Sequence, residues 1–309
     1  MKYTFLLPVY KGRFLREALE SISSQTYEEF CVLISDDCSP EPINEIVKPY
    51  LSDPRFLYRR NDKNIGAEHL VTHWNLLLDL CSTPYLIMAG DDDVYEPDFL
   101  TNIDQLILRF PESNLIRSRL DVINSEGMVI DTETLFPEVE TMPEFITDLF
   151  DPRHIHSIGQ YVFKTSFLKT QGGFVDFPLA WFSDDATAIL ASSGGVASSS
   201  STSFHARRSG LNISSTDDKK SKRMKGSAVV SFHKWYKSFA TPYDDHSRIW
   251  RDSHRNSKKY CYDRLINVFE ALSLRERMRV LLEFPMFSWV LFKDFLNTVL
   301  KKSNKNGKD

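Results

Sequence analysis

The sequence lacks several features that identify a protein's class quickly. It has no run of 18 apolar residues, which excludes a clear membrane-spanning helix. It has no P-loop and no Ser-His-Asp pattern, so neither kind of catalytic site is indicated. Its four cysteines have no CxxC spacing, and Pro8 interrupts the apolar start too early for a signal peptide. We therefore expect reduced thiols in a cytoplasmic protein.

The charges are divided unevenly along the chain. Residues 1–206 contain 15 Lys and Arg against 31 Asp and Glu, a net charge of −16, whereas residues 207–309 contain 23 against 11, a net charge of +12. This asymmetry predicts two regions, and we expect a boundary near residue 215. The basic region, 216–309, could face an anionic membrane, a phosphorylated molecule or nucleic acid. It could also be a solvated helical surface that balances the acidic region.

The first 110 residues alternate between short β-rich runs and segments in which apolar residues recur at helical spacing. Strands are predicted at Tyr3–Val9, Phe30–Ser35, Phe56–Arg59 and Tyr85–Ala89, and helices at Phe14–Ser24, Ile43–Leu51, Ala67–Cys81 and Phe99–Arg109. This order predicts an α/β fold with a Rossmann-like, mostly parallel sheet flanked by helices. In such sheets ligands bind beyond the carboxyl ends of the strands, where this chain has Pro8–Tyr10, Asp36-Asp37 and Asp91–Asp93.

The remainder of the chain is less regular. Leu115–Ile123 and Met128–Ile130 predict a hairpin, and Ser198–Ser203 predicts an edge strand or a loop. After about residue 215 the pattern predicts basic, aromatic helices. Val280–Leu300 could lie in a membrane interface with its aromatic residues toward lipid, or it could dock on the protein's own core or on a second subunit. The tail, 301–309, is expected to be disordered.

Three consecutive aspartates, Asp91, Asp92 and Asp93, directly follow an apolar run that ends at Gly90. Adjacent carboxylates repel each other unless a cation or a solvated turn accommodates them. A strand that carries such a cluster to its carboxyl end is typical of a Mg²⁺ or Mn²⁺ site, because these hard ions prefer oxygen ligands and bridge to phosphates. The alternative is an acidic solvated turn that caps the next helix.

The triplet is also part of a larger pattern. The sequence resembles the family 2 inverting glycosyltransferases of GT-A fold in five motifs that occur in the family's order: Leu7–Tyr10, Ser21–Tyr27, Ile34–Ser39, Asn64–Gly66 with Asn75, and Gly90–Pro97. The resemblance is strong over residues 1–110 and weaker over residues 150–215. It implies a GT-A domain over residues 1–215 that binds a nucleotide sugar and carries the catalytic site, followed by a helical C-terminal extension.

The resemblance implies a donor site at the strand ends. Pro8, Val9 and Tyr10 would line the base and ribose of a nucleotide. Asp37 would accept the N3–H of a uracil ring, a charge-assisted hydrogen bond that discriminates among bases. Asp36 is the second candidate for that bond. The alternatives are a strand terminator at Pro8 and a helix cap at the two aspartates.

Asn64 and Gly66 are implied to contact the donor as well. They precede the helix predicted from Ala67, where glycine lets a ligand approach the backbone and a helix N-terminus favours anions. The alternative is a plain turn with a helix cap.

At the triplet the sequence departs from the commoner family pattern Asp-x-Asp-Asp, because Gly90 stands at the first Asp. Counted back from Pro97, Asp92 takes the principal metal-ligand position. Asp91 would approach the ribose or the water molecules of the metal, and Asp93 would support the metal site from behind. The departure leaves this division of roles open.

A basic motif lies where related enzymes often carry a residue that touches the metal or the diphosphate. His205 is the candidate metal ligand here, and Arg207 and Arg208 are candidates for binding phosphate. The alternative is a basic loop without such a role.

Trp181–Asp185 resembles the acidic pair whose second member is the family's catalytic base. Asp185 would therefore take the proton from an acceptor hydroxyl as that oxygen attacks the anomeric carbon. The alternative is an N-cap with first-turn charge before the helix at Ala186, a role that suits Asp184.

These features together predict a metal-dependent inverting glycosyltransferase that uses Mn²⁺ or Mg²⁺. The expected donor is a nucleoside diphosphate sugar, with UDP indicated by Asp37, and the expected acceptor is a glycan or lipid-linked molecule of bacterial cell-surface polysaccharide synthesis. We expect a cytoplasmic location, peripheral on the inner face of the plasma membrane, and no nucleic-acid partner. The alternatives are a sugar-nucleotide nucleotidylyltransferase, for which Lys11-Gly12-Arg13 is a poor N-terminal loop, and a non-catalytic nucleotide-sugar or nucleic-acid binding module.

Overall fold

Strands and helices alternate through the first half of the chain, and helices dominate after it. The structure, a computed structural model, describes residues 1–243, 247–284, 289 and 293. The strands are β1 (Tyr3–Val9), β2 (Phe30–Asp36), β3 (Phe56–Arg60), β4 (Tyr85–Met88), β5 (Val94–Tyr95), β6 (Leu115–Ile123), β7 (Val129–Thr132), β8 (Val139–Glu140), β9 (Tyr161–Lys164) and β10 (Val196–Arg207). The helices are α1 (Leu15–Ser23), α2 (Ile43–Val47), α3 (Leu70–Leu80), α4 (Phe99–Arg109), α5 (Met142–Leu149), α6 (Thr165–Thr170), α7 (Ser183–Ala191), α8 (Lys219–Ala240), α9 (Arg248–Ile266) and α10 (Leu274–Glu283).

One sheet contains all these strands, in the order β3-β2-β1-β4-β9-β6-β10-β5, with β7 paired to β6 and β8 paired to β10. β1 to β4 pair in parallel, as the alternating pattern predicts. β9 runs antiparallel to both β4 and β6, and β10 runs parallel to β6 but antiparallel to β5. The predicted α/β class is confirmed, and the second half of the sheet is more mixed than the first.

Apolar side chains cover both faces of the sheet, which explains why β1 is almost continuously apolar. α1, α2 and α4 pack on one face, and α3, α5, α7, α8 and α9 pack on the other. Aromatic rings join α8 and α9 to the rest: Phe182 stacks on Phe232 with centroids 4.6 Å apart, and Phe150 lies 5.1 Å from Tyr260. The described part of region 216–309 therefore shares a core with residues 1–215.

Most predicted elements of the first 110 residues are confirmed to within a few residues. The helix predicted from Ala67 begins as a 3-10 turn and becomes α-helical at Leu70. Ser198–Ser203, predicted as an edge strand or a loop, lies within β10, between β6 and β5. The stretch still has one open side, because β8 pairs with β10 only at residues 196–197 and β5 only at residues 204–205. That local exposure accounts for its polar composition.

The segment Val280–Leu300, for which a position in a membrane interface was one of the alternatives, begins in the protein core. Phe284 is buried and its ring centroid lies 4.4 Å from that of His233, so at this residue the alternative of docking on the protein's own core holds and the one of facing lipid does not. Trp289 is exposed. The other residues beyond Phe284, except Lys293, lie outside the described part of the chain, as does the predicted disordered tail 301–309. None of the helices in the described ranges is both long and apolar enough to cross a bilayer.

Candidate active site

A cleft of about 1000 Å³ opens at the carboxyl ends of β1, β2 and β4, and its opposite wall comes from α7 and α9. Most of the predicted site residues line it: Pro8, Val9, Tyr10, Asp37, Asn64, Gly66, Asp91, Asp92, Asp93, Asp185 and Arg208. His205 and Arg207 do not line it. Strand ends that are far apart in sequence thus meet in one space, as the parallel sheet requires.

Asp37 organises the loop that follows β3. Its carboxylate accepts hydrogen bonds from the backbone N–H of Ile65 at 2.8 Å, the backbone N–H of Gly66 at 2.9 Å and the side chain of Asn61 at 2.9 Å. Asn64 donates to the Asp37 carbonyl oxygen at 2.9 Å. Burial alone would raise the pKa of Asp37, but these hydrogen bonds to its carboxylate lower it below the ordinary value. A carboxylate has about four acceptor sites, so an ionised Asp37 keeps one for a ligand.

The neighbouring Asp36 has a structural role. Its side chain is fully buried, accepts hydrogen bonds from the Tyr58 hydroxyl and the backbone N–H of Ser39 at 2.8 Å each, and forms an ion pair with Arg60. It does not line the cleft. Within the pair, only Asp37 faces the ligand space.

The three aspartates after β4 have three different partners. Asp91 accepts hydrogen bonds from the two backbone N–H groups that follow β1, at 3.2 Å each. Asp93 is buried and accepts from the backbone N–H of Arg207 at 2.9 Å. Asp92 is partly exposed and accepts from the side chain of Asn212 at 3.0 Å. Two of the carboxylates therefore tie backbone segments together, and Asp92 is the one bound only to another side chain.

Gly90 makes room for this arrangement. A Cβ on Gly90 would lie 2.6 Å from the Asp93 Oδ2 atom and 3.2 Å from the Asp92 Oδ1 atom. The space that a first aspartate of the commoner family pattern would need is thus filled by the carboxylate of Asp93. In this chain a side chain at position 90 would therefore have to displace that carboxylate.

Burial and like charge raise the pKa values of the triplet. The pKa of Asp92 is raised to about 7, first by burial and then by the charge of Asp91, while Arg207 and Lys11 oppose the shift. The pKa of Asp93 is raised well above its ordinary value, first by burial and then by Asp92. Carboxylates held this close resist full ionisation at neutral pH, and a bound cation would relieve that repulsion.

His205 lies away from the aspartate triplet. Its Nε2 atom is 2.7 Å from Glu96 Oε1, and its Nδ1 atom is 3.8 Å from Asp121 Oδ2. Two carboxylates from other elements therefore hold the imidazole on β10. The structure does not bring His205 to the predicted metal site.

Arg207 supports the triplet from behind and does not face the ligand space. Its side chain is almost completely buried, and its Nε donates to the Asp92 carbonyl oxygen at 2.8 Å. The guanidinium also donates to the Asn124 carbonyl oxygen at 3.1 Å and lies 2.7 Å from the Glu17 carboxylate. These contacts leave it unavailable for a diphosphate. The next residue, Arg208, lines the cleft in its place.

A strained turn precedes α7. Leu179, Ala180 and Phe182 have φ angles of 61°, 54° and 71°, in the left-handed region that non-glycine residues avoid. Each such residue costs about 1 kcal/mol or more and persists only where its surroundings fix it, which is common at functional sites. The turn delivers the acidic pair Asp184 and Asp185 to the wall of the cleft.

Asp185 has a partner that no sequence motif marks. The hydroxyl of Tyr260, on α9, donates to Asp185 Oδ2 at 2.9 Å. Arg264, one turn further along α9, stacks on the Tyr260 ring at 3.4 Å and lines the cleft. Burial raises the pKa of Asp185, and the Arg264 charge and the Tyr260 hydrogen bond oppose that shift. α9 therefore helps to keep Asp185 ionised despite its burial.

Asp184 differs from its neighbour in its hydrogen bonding. Its carboxylate accepts from the backbone N–H of Asp185 at 3.0 Å, a local contact of the kind expected at a helix start. Its pKa is raised to about 7, first by burial and then by the charge of Asp185. Both carboxylates line the cleft, but only Asp185 is oriented by a second helix.

Tyr260→Phe is expected to raise the pKa of Asp185, because the variant loses a hydrogen bond to the ionised form. If Asp185 acts as a base, the acidic limb of the kcat profile should move to higher pH by roughly one to two units. The fall in rate should then be largest at low pH and recover at high pH. Initial rates across a pH series measure this.

Tyr243→Phe is the matched control, because Tyr243 is a partly exposed tyrosine outside the cleft. It should leave the profile unchanged. A uniform loss of rate at every pH in Tyr260→Phe would mean that Tyr260 contributes packing alone.

Known proteins resemble the part of the chain that contains the Asp37 loop and the aspartate triplet. A family model described as Glycosyl transferase family 2 matches residues 4–159, half of the chain. The succinoglycan biosynthesis protein ExoW of Rhizobium meliloti is 32% identical over 114 residues, which cover 35% of this chain and 35% of that protein. The chain spans between 18% and 30% of the length of three other curated relatives.

Two solved structures resemble nearly the whole chain. Residues 1–349 of Staphylococcus aureus TarS, in complex with UDP-GlcNAc, give a TM-score of 0.60 at 17% identity over 99% of this chain and 92% of that chain. The mannosyltransferase PcManGT of Pyrobaculum calidifontis, in complex with GDP-Man and Mn²⁺, gives 0.52 at 15% identity over 100% of this chain and 88% of that chain. At these identities the likeness concerns the fold alone.

The predicted family and fold are confirmed together. The matched residues 4–159 contain the Asp37 loop and the aspartate triplet, and the structural likeness extends through α7 and the C-terminal helices. The chain belongs to glycosyl transferase family 2, with the GT-A fold and a helical C-terminal region.

Proposed function

We propose that this chain transfers a sugar from a UDP-sugar to a hydroxyl of a glycan or lipid-linked acceptor, with inversion at the anomeric carbon. The observation that carries the proposal is one cleft with carboxylates in three different environments. Asp37 is ionised and hydrogen-bonded, Asp92 is repelled by its neighbours, and Asp185 is buried against Tyr260. These environments suit base recognition, cation binding and proton transfer.

The donor end of the cleft has the chemistry to read a uracil base. The free acceptor site of Asp37 would take the N3–H of the ring. Gly66, with φ of 81°, lines the cleft beside Asp37 and has no side chain, so a ligand could approach its backbone closely. TarS, whose structure was solved with UDP-GlcNAc, supports a nucleotide-sugar donor for this fold.

The aspartate triplet fits a divalent cation that is shared with the donor. Within the described ranges no cluster of three or more His, Cys, Asp or Glu side chains is arranged as a metal cage. Mg²⁺ and similar ions need no such cage where one or two carboxylates, phosphates and water complete the shell. Asp92 would hold Mn²⁺ or Mg²⁺ with support from Asp91 and Asp93, and the bound ion would stabilise the negative charge of the leaving diphosphate. The Mn²⁺ in the PcManGT structure supports this assignment.

Asp185 is proposed as the general base. The acceptor oxygen attacks the anomeric carbon from the face opposite the diphosphate, its proton moves to Asp185, and the bond to the diphosphate breaks. A buried carboxylate with a raised pKa is a stronger base than an exposed one. Tyr260 and Arg264 hold it ionised and fix its orientation for that step.

The setting we propose is bacterial cell-surface polysaccharide synthesis. ExoW is named for succinoglycan biosynthesis, and TarS is named as a poly(ribitol-phosphate) β-N-acetylglucosaminyltransferase. Both names refer to a polymer, a glycan in one and a poly(ribitol-phosphate) in the other. The acceptor side of the cleft, around His154 and Trp181, would distinguish this chain's substrate from theirs.

A panel of nucleotide sugars tests the proposal directly. We expect a UDP-sugar with Mn²⁺ to raise the melting temperature by several degrees, since a ligand at 100 times its Kd adds about 2.7 kcal/mol of stability. Slow release of UDP without an acceptor should accompany this. GDP-sugars serve as the matched control for base recognition.

The competing functions give different results in the same assay. A nucleotidylyltransferase would release pyrophosphate from UTP and a sugar phosphate, and a binding module would be stabilised without turnover. Either outcome, or the failure of every nucleotide sugar to stabilise the protein, contradicts the proposal.

A further inference from the structure

Helix α10 presents a row of apolar side chains to solvent. Leu274, Met278 and Leu282 are 62%, 49% and 77% exposed. They are spaced four residues apart, so they lie on one side of the helix, one turn after another. Single exposed apolar residues are ordinary, but a continuous row on one helix marks a contact surface.

The opposite side of α10 is firmly packed, so the row cannot turn inward. Val280 is buried, and the buried Arg277 guanidinium donates to the carbonyl oxygens of Leu272 at 3.1 Å and Glu270 at 2.6 Å. Ser273 starts the helix with a capping box. The direction of the exposed row is therefore set by the fold.

The charges of α10 are divided between its two flanks. Glu276 pairs with Arg223 at 3.3 Å and Glu283 pairs with Lys234 at 3.1 Å, both cations being on α8. On the outer flank, Arg275 and Arg279 are exposed. Neither has an ion-pair partner among the residues that the structure describes. The two glutamates of α10 are therefore neutralised by α8, and its two outer arginines remain exposed to solvent.

The two arginines adjoin the apolar row. At about 100° per residue, Leu274, Met278 and Leu282 span one sector of the helix surface, and Arg275 and Arg279 continue that sector on one side. An apolar strip edged by unpaired cations is the pattern of a helix that lies in the interface of an anionic bilayer. A second copy that met the same face would bring together two regions of net charge +12, which like-charge repulsion opposes.

We infer that the outer face of α10 binds an anionic lipid surface. Leu274, Met278 and Leu282 enter the boundary between headgroups and acyl chains, and Arg275 and Arg279 contact lipid phosphates. The net charge of +12 over residues 207–309 agrees with such a surface. The inference does not depend on the proposed glycosyltransferase activity, since no catalytic residue takes part.

Flotation of the full-length protein with vesicles tests it. Wild type should bind phosphatidylcholine vesicles that contain 30% phosphatidylglycerol, and bind less at high salt. The triple variant Leu274→Ser, Met278→Ser, Leu282→Ser should lower the partition coefficient on the order of 100-fold. The double variant Arg275→Gln, Arg279→Gln should lower it roughly tenfold on these vesicles and leave binding to pure phosphatidylcholine unchanged.

A second triple variant, Leu57→Ser, Leu80→Ser, Leu108→Ser, is the matched control. These leucines are 55%, 52% and 72% exposed, but they lie on three different elements. The control should bind vesicles like wild type.

Four results would overturn the inference. The first is wild-type protein that stays soluble with anionic vesicles, and the second is an α10 triple variant that binds as well as the control. The third is a change from dimer to monomer in the α10 variant without vesicles, which would assign the row to a second copy. The fourth is a marked fall in its melting temperature relative to the control, which would mean that the chain's own residues cover the row.

Discussion

Asp185→Asn is expected to lower kcat for sugar transfer by roughly 10²–10⁴-fold while donor affinity and Mn²⁺ dependence stay unchanged. Asparagine keeps the size of the side chain, and its carbonyl oxygen can still accept the hydrogen bond from Tyr260. It cannot accept the proton of the acceptor hydroxyl. Initial rates with saturating donor, together with calorimetric donor binding, measure the two effects separately.

Asp184→Asn supplies the internal control. Asp184 is on the same helical turn and lines the same cleft, but its carboxylate accepts only the backbone N–H of Asp185 among the hydrogen bonds found. We therefore expect a far smaller loss of kcat. An inactive Asp184→Asn beside an active Asp185→Asn would shift the base by one residue. Full activity in both variants would place the base outside this pair.

Asp92→Asn is expected to abolish transfer and the Mn²⁺-dependent part of donor binding, while the fold survives. The variant keeps the hydrogen bond from Asn212 but loses the negative charge that would hold the cation. Calorimetric titration of a UDP-sugar with and without Mn²⁺ measures the loss, and thermal unfolding checks the fold.

The raised pKa of Asp92 adds a dependence on pH to this prediction. Because protons and Mn²⁺ compete for the same carboxylate, Mn²⁺ affinity of the wild type should rise between about pH 6 and pH 8, on either side of the pKa of about 7. Without metal, the folded protein binds more protons at this site than the unfolded chain does. The free energy of unfolding should therefore fall as pH rises from about 4 through 7. In Asp92→Asn that decline should be shallower.

Asp91→Asn and Asp93→Asn should be milder, since their carboxylates are engaged with backbone N–H groups. Normal turnover in Asp92→Asn would refute the metal assignment. A loss in Asp93→Asn as large as that in Asp92→Asn would move the ligand by one residue.

The meeting of Pro8, Asp37 and Asp92 in one cleft could be predicted because it depends on local pattern. Pro8 lies at the end of an apolar strand, Asp37 and Asp92 follow two others, and a parallel sheet brings such ends to one edge. Periodicity along the chain was enough to identify those strands. Identifying them required no knowledge of contacts between residues that are distant in the sequence.

The contacts of His205 and Arg207 could not be predicted from the sequence. The resemblance places His205 and Arg207 where related enzymes carry a residue that touches the metal or the diphosphate, but it does not reveal which carboxylates or carbonyl groups hold their side chains. Those partners are Glu96 and Asp121 for the histidine and Glu17 for the arginine. All three come from other elements, so only the folded chain reveals them.

Tyr260 could not be predicted for a related reason. It is 75 residues from Asp185 in sequence, and the apolar periodicity of α9 marks only a buried face. Which buried hydroxyl meets the carboxylate depends on how α9 packs against α7 and α5. That packing is a property of the whole core.

The crowding at Gly90 has a consequence for how acidic motifs of this kind can change over evolutionary time. The commoner Asp-x-Asp-Asp pattern also has an aspartate at position 93, so it differs from this motif at position 90. A side chain at position 90 would displace the Asp93 carboxylate, whose Oδ2 atom lies 2.6 Å from the place of its Cβ and whose Oδ1 atom accepts from the backbone N–H of Arg207. A change toward the commoner pattern therefore requires the carboxylate at position 93 to take another rotamer, which links the two positions without any substitution at residue 93.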